Sequence, residues 1–202
     1  MILSGEEIHS RLGNEICIDP FCEDSLNRNS YNLTLHHELL VYEEVVLDMK
    51  EPNRFRRLGI PDKGLILSPG QLYLARTVEY TETHGLVPMI QGRPNLARLG
   101  LLVHCSAAMG DAGFCGYWTL ELSVVQPIRI YGGIRICQIA YHALSGSIRE
   151  SRESRPVRAA KQCDIQPSMM FQELGYTREY EQLQLDFDSL ASSSRVAATP
   201  NV

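Results

Sequence analysis

Residues 117–125, Tyr117-Trp118-Thr119-Leu120-Glu121-Leu122-Ser123-Val124-Val125, decide what kind of fold this chain adopts. Apolar and polar side chains alternate along them, the period of a β-strand with one buried face. Trp118, Leu120, Leu122 and Val124 make the face turned to a core, and Tyr117, Thr119, Glu121 and Ser123 make the other. Glu121 therefore sits away from the apolar layer. Upstream, the stretch from Met89 is dense in glycine and holds Arg93, Arg98, His104 and Asp111. Around Gly92, backbone N–H groups and guanidinium groups can converge, an arrangement suited to phosphate oxygens.

Moving outward, most other segments also read as short strands. Leu65–Leu67 and Gln71–Val78, joined by Pro69-Gly70, predict a hairpin, and Ile128–Tyr131 with Ile134–Tyr141 around Gly132-Gly133 predict a second. Residues 30–42 predict two short strands, with His36 and His37 in a turn or at the surface. Leu86–Gln91 and Leu101–His104 are further strand candidates. Residues 2–12 predict a helix capped by Ser4 with Glu7 three positions on, and Pro94–Leu99 leave room for one helical turn with proline near its start. Glu15–Asp19 read as a connecting segment, and residues 48–64, with Arg54, Arg56 and Arg57, as an exposed connection. Many short strands and little helix predict an all-β sandwich or barrel.

The chain has 202 residues and a net charge of −5, which predicts one domain plus a tail and gives no global attraction to nucleic acid. Residues 1–146 are expected to form the β domain. Residues 147–202 are expected to form a C-terminal arm, partly disordered, with a basic run from Arg149 to Lys161 and one short helix within 168–187. No apolar run is long enough to cross a membrane and no secretory signal opens the chain, so a cytoplasmic protein without membrane contact is expected. The six cysteines include no C-x-x-C pair and are expected to be buried free thiols. His36-His37-Glu38 gives an H-x-E triplet, but the P-C-x-x-C that accompanies it in zinc deaminases is missing, and no zinc site is expected.

G-R-P-N-L-A-R-L-G (Gly92 to Gly100) and D-A-G-F-C-G-Y-W-T-L-E (Asp111 to Glu121) resemble two motifs of the deoxycytidine triphosphate (dCTP) deaminases, the zinc-free branch of the deoxyuridine triphosphatase (dUTPase) superfamily. Supporting similarity runs through Asn29–Leu35, Leu67–Glu79 and Gly133–Ile139, so the resemblance spans about residues 1 to 146. It implies a distorted jelly-roll or β-barrel of dUTPase type, assembled as a homotrimer with shared active sites. It assigns catalysis to Glu121 and Arg98, and substrate binding to Arg93, Asn95, His104, Ala107, Asp111 and Gln138. The substrate would be a deoxycytidine nucleotide, with Mg²⁺ reaching the site through its phosphates.

This chain departs from the family pattern at Pro94 (serine in the family), Met109 (arginine), Ala112 (proline) and Asn32 (aspartate). Proline removes a hydroxyl and an N–H at the phosphate site, each worth roughly 1.5–3 kcal/mol toward a charged partner. Three readings stay open: hydrolytic deamination with Glu121 as proton shuttle, a pyrophosphatase forming dUMP alone or after deamination, and a nucleotide-binding homologue without turnover.

Overall fold

The computed structural model describes residues 1–104, 107–147 and 162–174. A compact β unit comprises Met1–Leu47 and Asn53–Ser168, and a second unit comprises Asp48–Pro52 with, among the described residues, 169–174. The short helix α3 (Met170–Glu173) belongs to the latter. Gln162–Ser168 thus pack with the β unit although they lie in the arm expected after residue 146.

The β unit contains α1 (Gly5–Ser10), β1 (Ile16–Asp19), β2 (Tyr31–Tyr42), β3 (Phe55–Gly59), β4 (Leu65–Leu67), β5 (Tyr73–Thr83), β6 (Leu86–Gly92), α2 (Pro94–Arg98), β7 (Leu101–Val103), β8 (Cys115–Val124), β9 (Ile128–Ile130) and β10 (Arg135–Ala143). Eight strands make one antiparallel sheet in the order β6-β10-β2-β5-β8-β7, with β1 on β5 and β3 on β2. Strands β4 and β9 form a second, two-stranded sheet. Because β2 and β5 change partners along their length, the large sheet curls into a barrel-like wall around one core. The all-β, barrel-like expectation is met.

Strand β8 alternates as its sequence predicts: Trp118, Leu120, Leu122 and Val124 are all buried. They join Tyr31, Leu33, Leu35, Ala75, Ile90, Ile136, Ile139 and Tyr141 in the main core. Burial of each large apolar side chain contributes roughly 1.5–3 kcal/mol, so this layer dominates the stability of the domain. At the N-terminus, Ser4 Oγ accepts the Glu7 N–H at 3.2 Å, which is the N-cap expected there.

Several pairings differ from the sequence reading. Neither expected hairpin forms: β9 pairs with β4, β5 with β2 and β8, and β10 with β2 and β6. The glycine turn is real but makes a corner between sheets. Gly133, at φ 76°, donates its N–H to Leu35 O, and a Cβ on Gly132 would sit 2.2 Å from the His37 ring. Within residues 30–42 a single strand, Tyr31–Tyr42, forms in place of two, with a register slip against β5 between Leu35 and Leu39. His36 and His37 lie within that strand and not in a turn, with His37 exposed at the surface as expected and His36 partly buried. The expected connections at residues 15–19 and 48–64 contain β1 and the edge strand β3, whose Arg56 and Arg57 face solvent. Among the five described cysteines none forms a disulfide, and only Cys115 and Cys137 are buried; Cys17 is half-buried and Cys22 and Cys163 are exposed.

Candidate active site

The end of β8 and the start of the loop after β7 bring two titratable side chains together. Leu102 and Val103 pair with Ser123 and Leu122, and the next residue, His104, donates its backbone N–H to Glu121 O at 2.9 Å. His104 is buried and has φ 55°, the one positive value at a non-glycine residue among those described. That conformation turns its ring back over the sheet, edge-on to Trp118 with centroids 6.3 Å apart. Its Nδ1 lies 2.8 Å from Glu121 Oε2. The contact is not aligned as a hydrogen bond, and neither buried atom has another hydrogen-bond partner among the described residues. The Glu121 side chain as a whole is about one-third exposed, at 36%. Its carboxylate therefore has one sheltered oxygen and a route to solvent, which a proton carrier needs.

The floor beside this pair is closely packed. Trp118 donates its indole N–H to Thr81 Oγ1 at 2.9 Å and stacks on Phe114 at 4.1 Å. Gly110 approaches the same indole so closely that a Cβ there would meet it at 2.4 Å. Ala107 and Asp111 lie exposed on this loop, and Asp111 lines a cavity of about 290 Å³ with Val87, Met109, Ala112 and Ser145.

The remaining expected site residues lie in two other groups. Arg93 is the N-cap of α2 and Pro94 its first residue, where a missing N–H leaves no helical bond unmade. Arg98 Nη1 donates to Asn95 Oδ1 at 2.9 Å, one turn back on the exposed side of this helix. Arg93 Nη1 donates to Arg135 O at 2.9 Å. Gln138 on β10 lines a cleft of about 810 Å³ with Ser4, Glu23, Arg28, Asn29 and Ser30. No ion pair joins Arg98 or Arg93 to Glu121 among the described residues. The chain thus brings together His104 with Glu121 and Asn95 with Arg98, but holds Gln138 in a separate cleft.

The sequence reading missed a polar relay behind Gln138. Asn32 Nδ2 donates to Asn27 Oδ1 at 3.1 Å, Asn27 Nδ2 to Ser30 Oγ at 3.1 Å, and Ser30 Oγ to Gln138 Oε1 at 3.0 Å. This relay fixes the Gln138 amide with its Oε1 toward Ser30. Asn32, a departure from the family pattern, is thereby explained as a donor in the relay. Glu79 was also missed: it is buried at 4% exposure with Oε2 on the Thr34 N–H at 2.7 Å, and burial raises its carboxyl above the usual range. Its position on an alternating strand gave no hint of that environment.

Residues 2–144 match the model of a family described as dCTP deaminase-like. A protein of Rhodopirellula baltica named dCTP deaminase is 58% identical over 194 residues, 96% of this chain and 96% of its own. One of Leptospira biflexa named dCTP deaminase, dUMP-forming, is 54% identical over 173 residues, 86% of this chain and 98% of its own. Among solved structures, the 2'-deoxycytidine 5'-triphosphate deaminase from Agrobacterium tumefaciens aligns with a TM-score of 0.58 at 18% identity over 74% of this chain. This chain spans 50% of that one, and at such an identity the likeness is one of fold.

Proposed function

The chain belongs to the dCTP deaminase-like family, and from that premise we propose that it hydrolyses the 4-amino group of a deoxycytidine nucleotide, the triphosphate foremost. The products are the deoxyuridine nucleotide and ammonia. The observation that carries the reading is the Glu121 carboxylate, one oxygen sheltered against His104 and the rest open to a ligand. Glu121 takes a proton from water as its oxygen bonds to C4 of the base, and returns a proton to the departing amine as the C4–N bond breaks. His104 holds the sheltered oxygen and so aims the other. An arginine supplies positive charge without competing for the proton, and Arg98, steadied by Asn95, is assigned that part.

Arg93 and Gln138 are assigned to the nucleotide, Asp111 to the sugar, and Ala107 with His104 to the base. Because Gln138 lines a cleft apart from the Glu121 pair, we assign a complete site to neighbouring copies in a homotrimer. No zinc is called on, since the carboxylate activates the water. Mg²⁺ would arrive on the phosphate oxygens of the substrate; no group of three His, Cys, Asp or Glu side chains among the described residues is set to hold a metal. Ammonia release from dCTP, dCMP and deoxycytidine, measured for the wild type and Glu121→Gln, tests the reading. Release from dCTP that is lost in the variant supports it; equal release by both proteins removes Glu121 from the mechanism.

The Leptospira relative's name favours a second reading, in which the same site goes on to release pyrophosphate and leave dUMP. Asp111 would then position the second water. Pyrophosphate appearing with ammonia from dCTP separates this from deamination alone.

A further inference from the structure

Strand β7 is short, and covers the edge of β8 only from Leu122 to Val124, with His104 extending the cover to Glu121. The rest of that edge is taken by a segment distant in sequence. Tyr117 donates its N–H to Gln162 O at 2.9 Å, and Gln162 returns its own N–H to Cys115 O at 3.3 Å. Between these two contacts and His104 lies Thr119, whose hydroxyl accepts the Gln166 N–H at 2.8 Å and the Gln162 side-chain amide. Thr119 and Glu121 share one face of β8, two residues apart, so the segment Gln162–Ser168 crosses the face that carries the proposed proton carrier.

Three further contacts fix it there. Ile165 is buried, at 4% exposure, against Leu40 and Leu74, and Leu74 is the direct cross-strand partner of Glu121. Asp164 pairs with Arg57 at 2.6 Å and with Arg76 at 3.4 Å, and Arg76 lies 4.4 Å over the Tyr117 ring. Ser168 donates its N–H to the Tyr42 hydroxyl at 2.8 Å. The segment begins beyond residue 144, where the match to the family model ends.

Resting on the reading of Glu121 given above, we propose that Gln162–Ser168 is a positioning strap for the reaction, with Thr119 and Ile165 as the residues through which it acts. It touches neither the reacting atoms nor the cleft around Gln138. Thr119 fixes the height of β8 on one side of Glu121, and Ile165 presses Leu74 into place on the other. A carboxylate that must reach both water and leaving amine tolerates little displacement, since errors near 1 Å in such a group lower turnover by up to about 100-fold.

The test uses the full chain with dCTP. Thr119→Val, which removes the acceptor but keeps the shape, is expected to lower kcat roughly 10-fold with KM changed by less than about 2-fold, and Thr119→Ser to restore kcat. Asp164→Asn, half exposed and outside the core, provides a second variant that keeps the fold and is expected to lower kcat by about 3-fold. Wild-type kcat in both Thr119→Val and Asp164→Asn, a loss confined to KM, or equal loss in Thr119→Val and Thr119→Ser overturns the strap. Glu121→Gln run alongside separates the two failures. A fully active Glu121→Gln removes the catalytic reading, whereas an inactive one beside wild-type Thr119→Val removes the strap alone.

Discussion

His104 Nδ1 and Glu121 Oε2 sit 2.8 Å apart with a left-handed backbone at the histidine, and the two facts are linked. A residue continuing β7 in extended conformation would project its side chain along the strand's own alternation. The turn at φ 55° brings the imidazole back over β8. Left-handed backbone at a residue other than Gly, Asn or Asp is unfavourable by about 1–2 kcal/mol, so the fold keeps an unfavourable conformation at the point where it brings the imidazole to the carboxylate. His104→Asn separates backbone from side chain, since asparagine accepts this conformation. Unchanged or slightly raised thermal stability is expected, together with a fall in kcat/KM for dCTP of roughly 10- to 100-fold. A variant that keeps full turnover would mean that the imidazole does not serve Glu121.

The parts of this arrangement that local chemistry encodes were legible in advance. Period-two alternation marked β8 and the outward side of Glu121, Ser4 with Glu7 marked the start of α1, and Pro94 marked the start of α2. What depends on a distant partner was not. Leu65–Leu67 and Ile128–Ile130 carry no sign that they seek each other, because alternation fixes which face is buried and not which strand lies alongside. The left-handed turn at His104 has no glycine or asparagine to announce it. Thr119 looked like any solvated position on the polar face, since the residues that use its hydroxyl come from the other end of the chain.

Gly116 records the presence of the strap in a form that a single methyl group can probe. Its φ is 144°, and a Cβ there would lie 2.7 Å from both the N and O of Gln162. Backbone atoms cannot swing aside as a side-chain tip can, so the added methyl forces either β8 or the strap to move. Gly116→Ala is expected to lose on the order of 1–3 kcal/mol of stability in denaturant unfolding. It should also speed proteolysis within residues 162–168 relative to the wild type. Stability equal to wild type would show that the edge of β8 is free in solution.

Pro94 offers the opposite kind of change, a gain. The first position of α2 has no intrahelical N–H bond to make, so Pro94→Ser leaves the helix intact while returning a hydroxyl and an N–H where the family carries them. If either reaches a phosphate oxygen or the reacting water, one charge-assisted bond of roughly 1.5–3 kcal/mol raises kcat/KM for dCTP by about 10- to 150-fold. Steady-state kinetics on both proteins check this. No gain would mean that the neighbouring Asn95 already fills the role.

Glu79 ties the same sheet to pH. It is buried, its Oε2 accepts the Thr34 N–H, and burial raises its carboxyl above the ordinary range, the Thr34 bonds opposing only in part. A raised folded-state value means that the native protein holds the proton more tightly than the unfolded chain. The group's contribution to stability is therefore complete below about pH 4.3, the ordinary glutamate range, and is lost as pH rises through the higher folded value. Glu79→Gln keeps an acceptor for Thr34 and carries no charge at any pH. Its melting temperature should exceed that of the wild type at pH 7 to 8, and the advantage should shrink toward zero as the pH is lowered to about 4. Melting curves across that range check the sign: an advantage of the same size at every pH would mean that Glu79 is ionised in the folded protein without penalty, its charge matched by a group that the Thr34 contact does not account for.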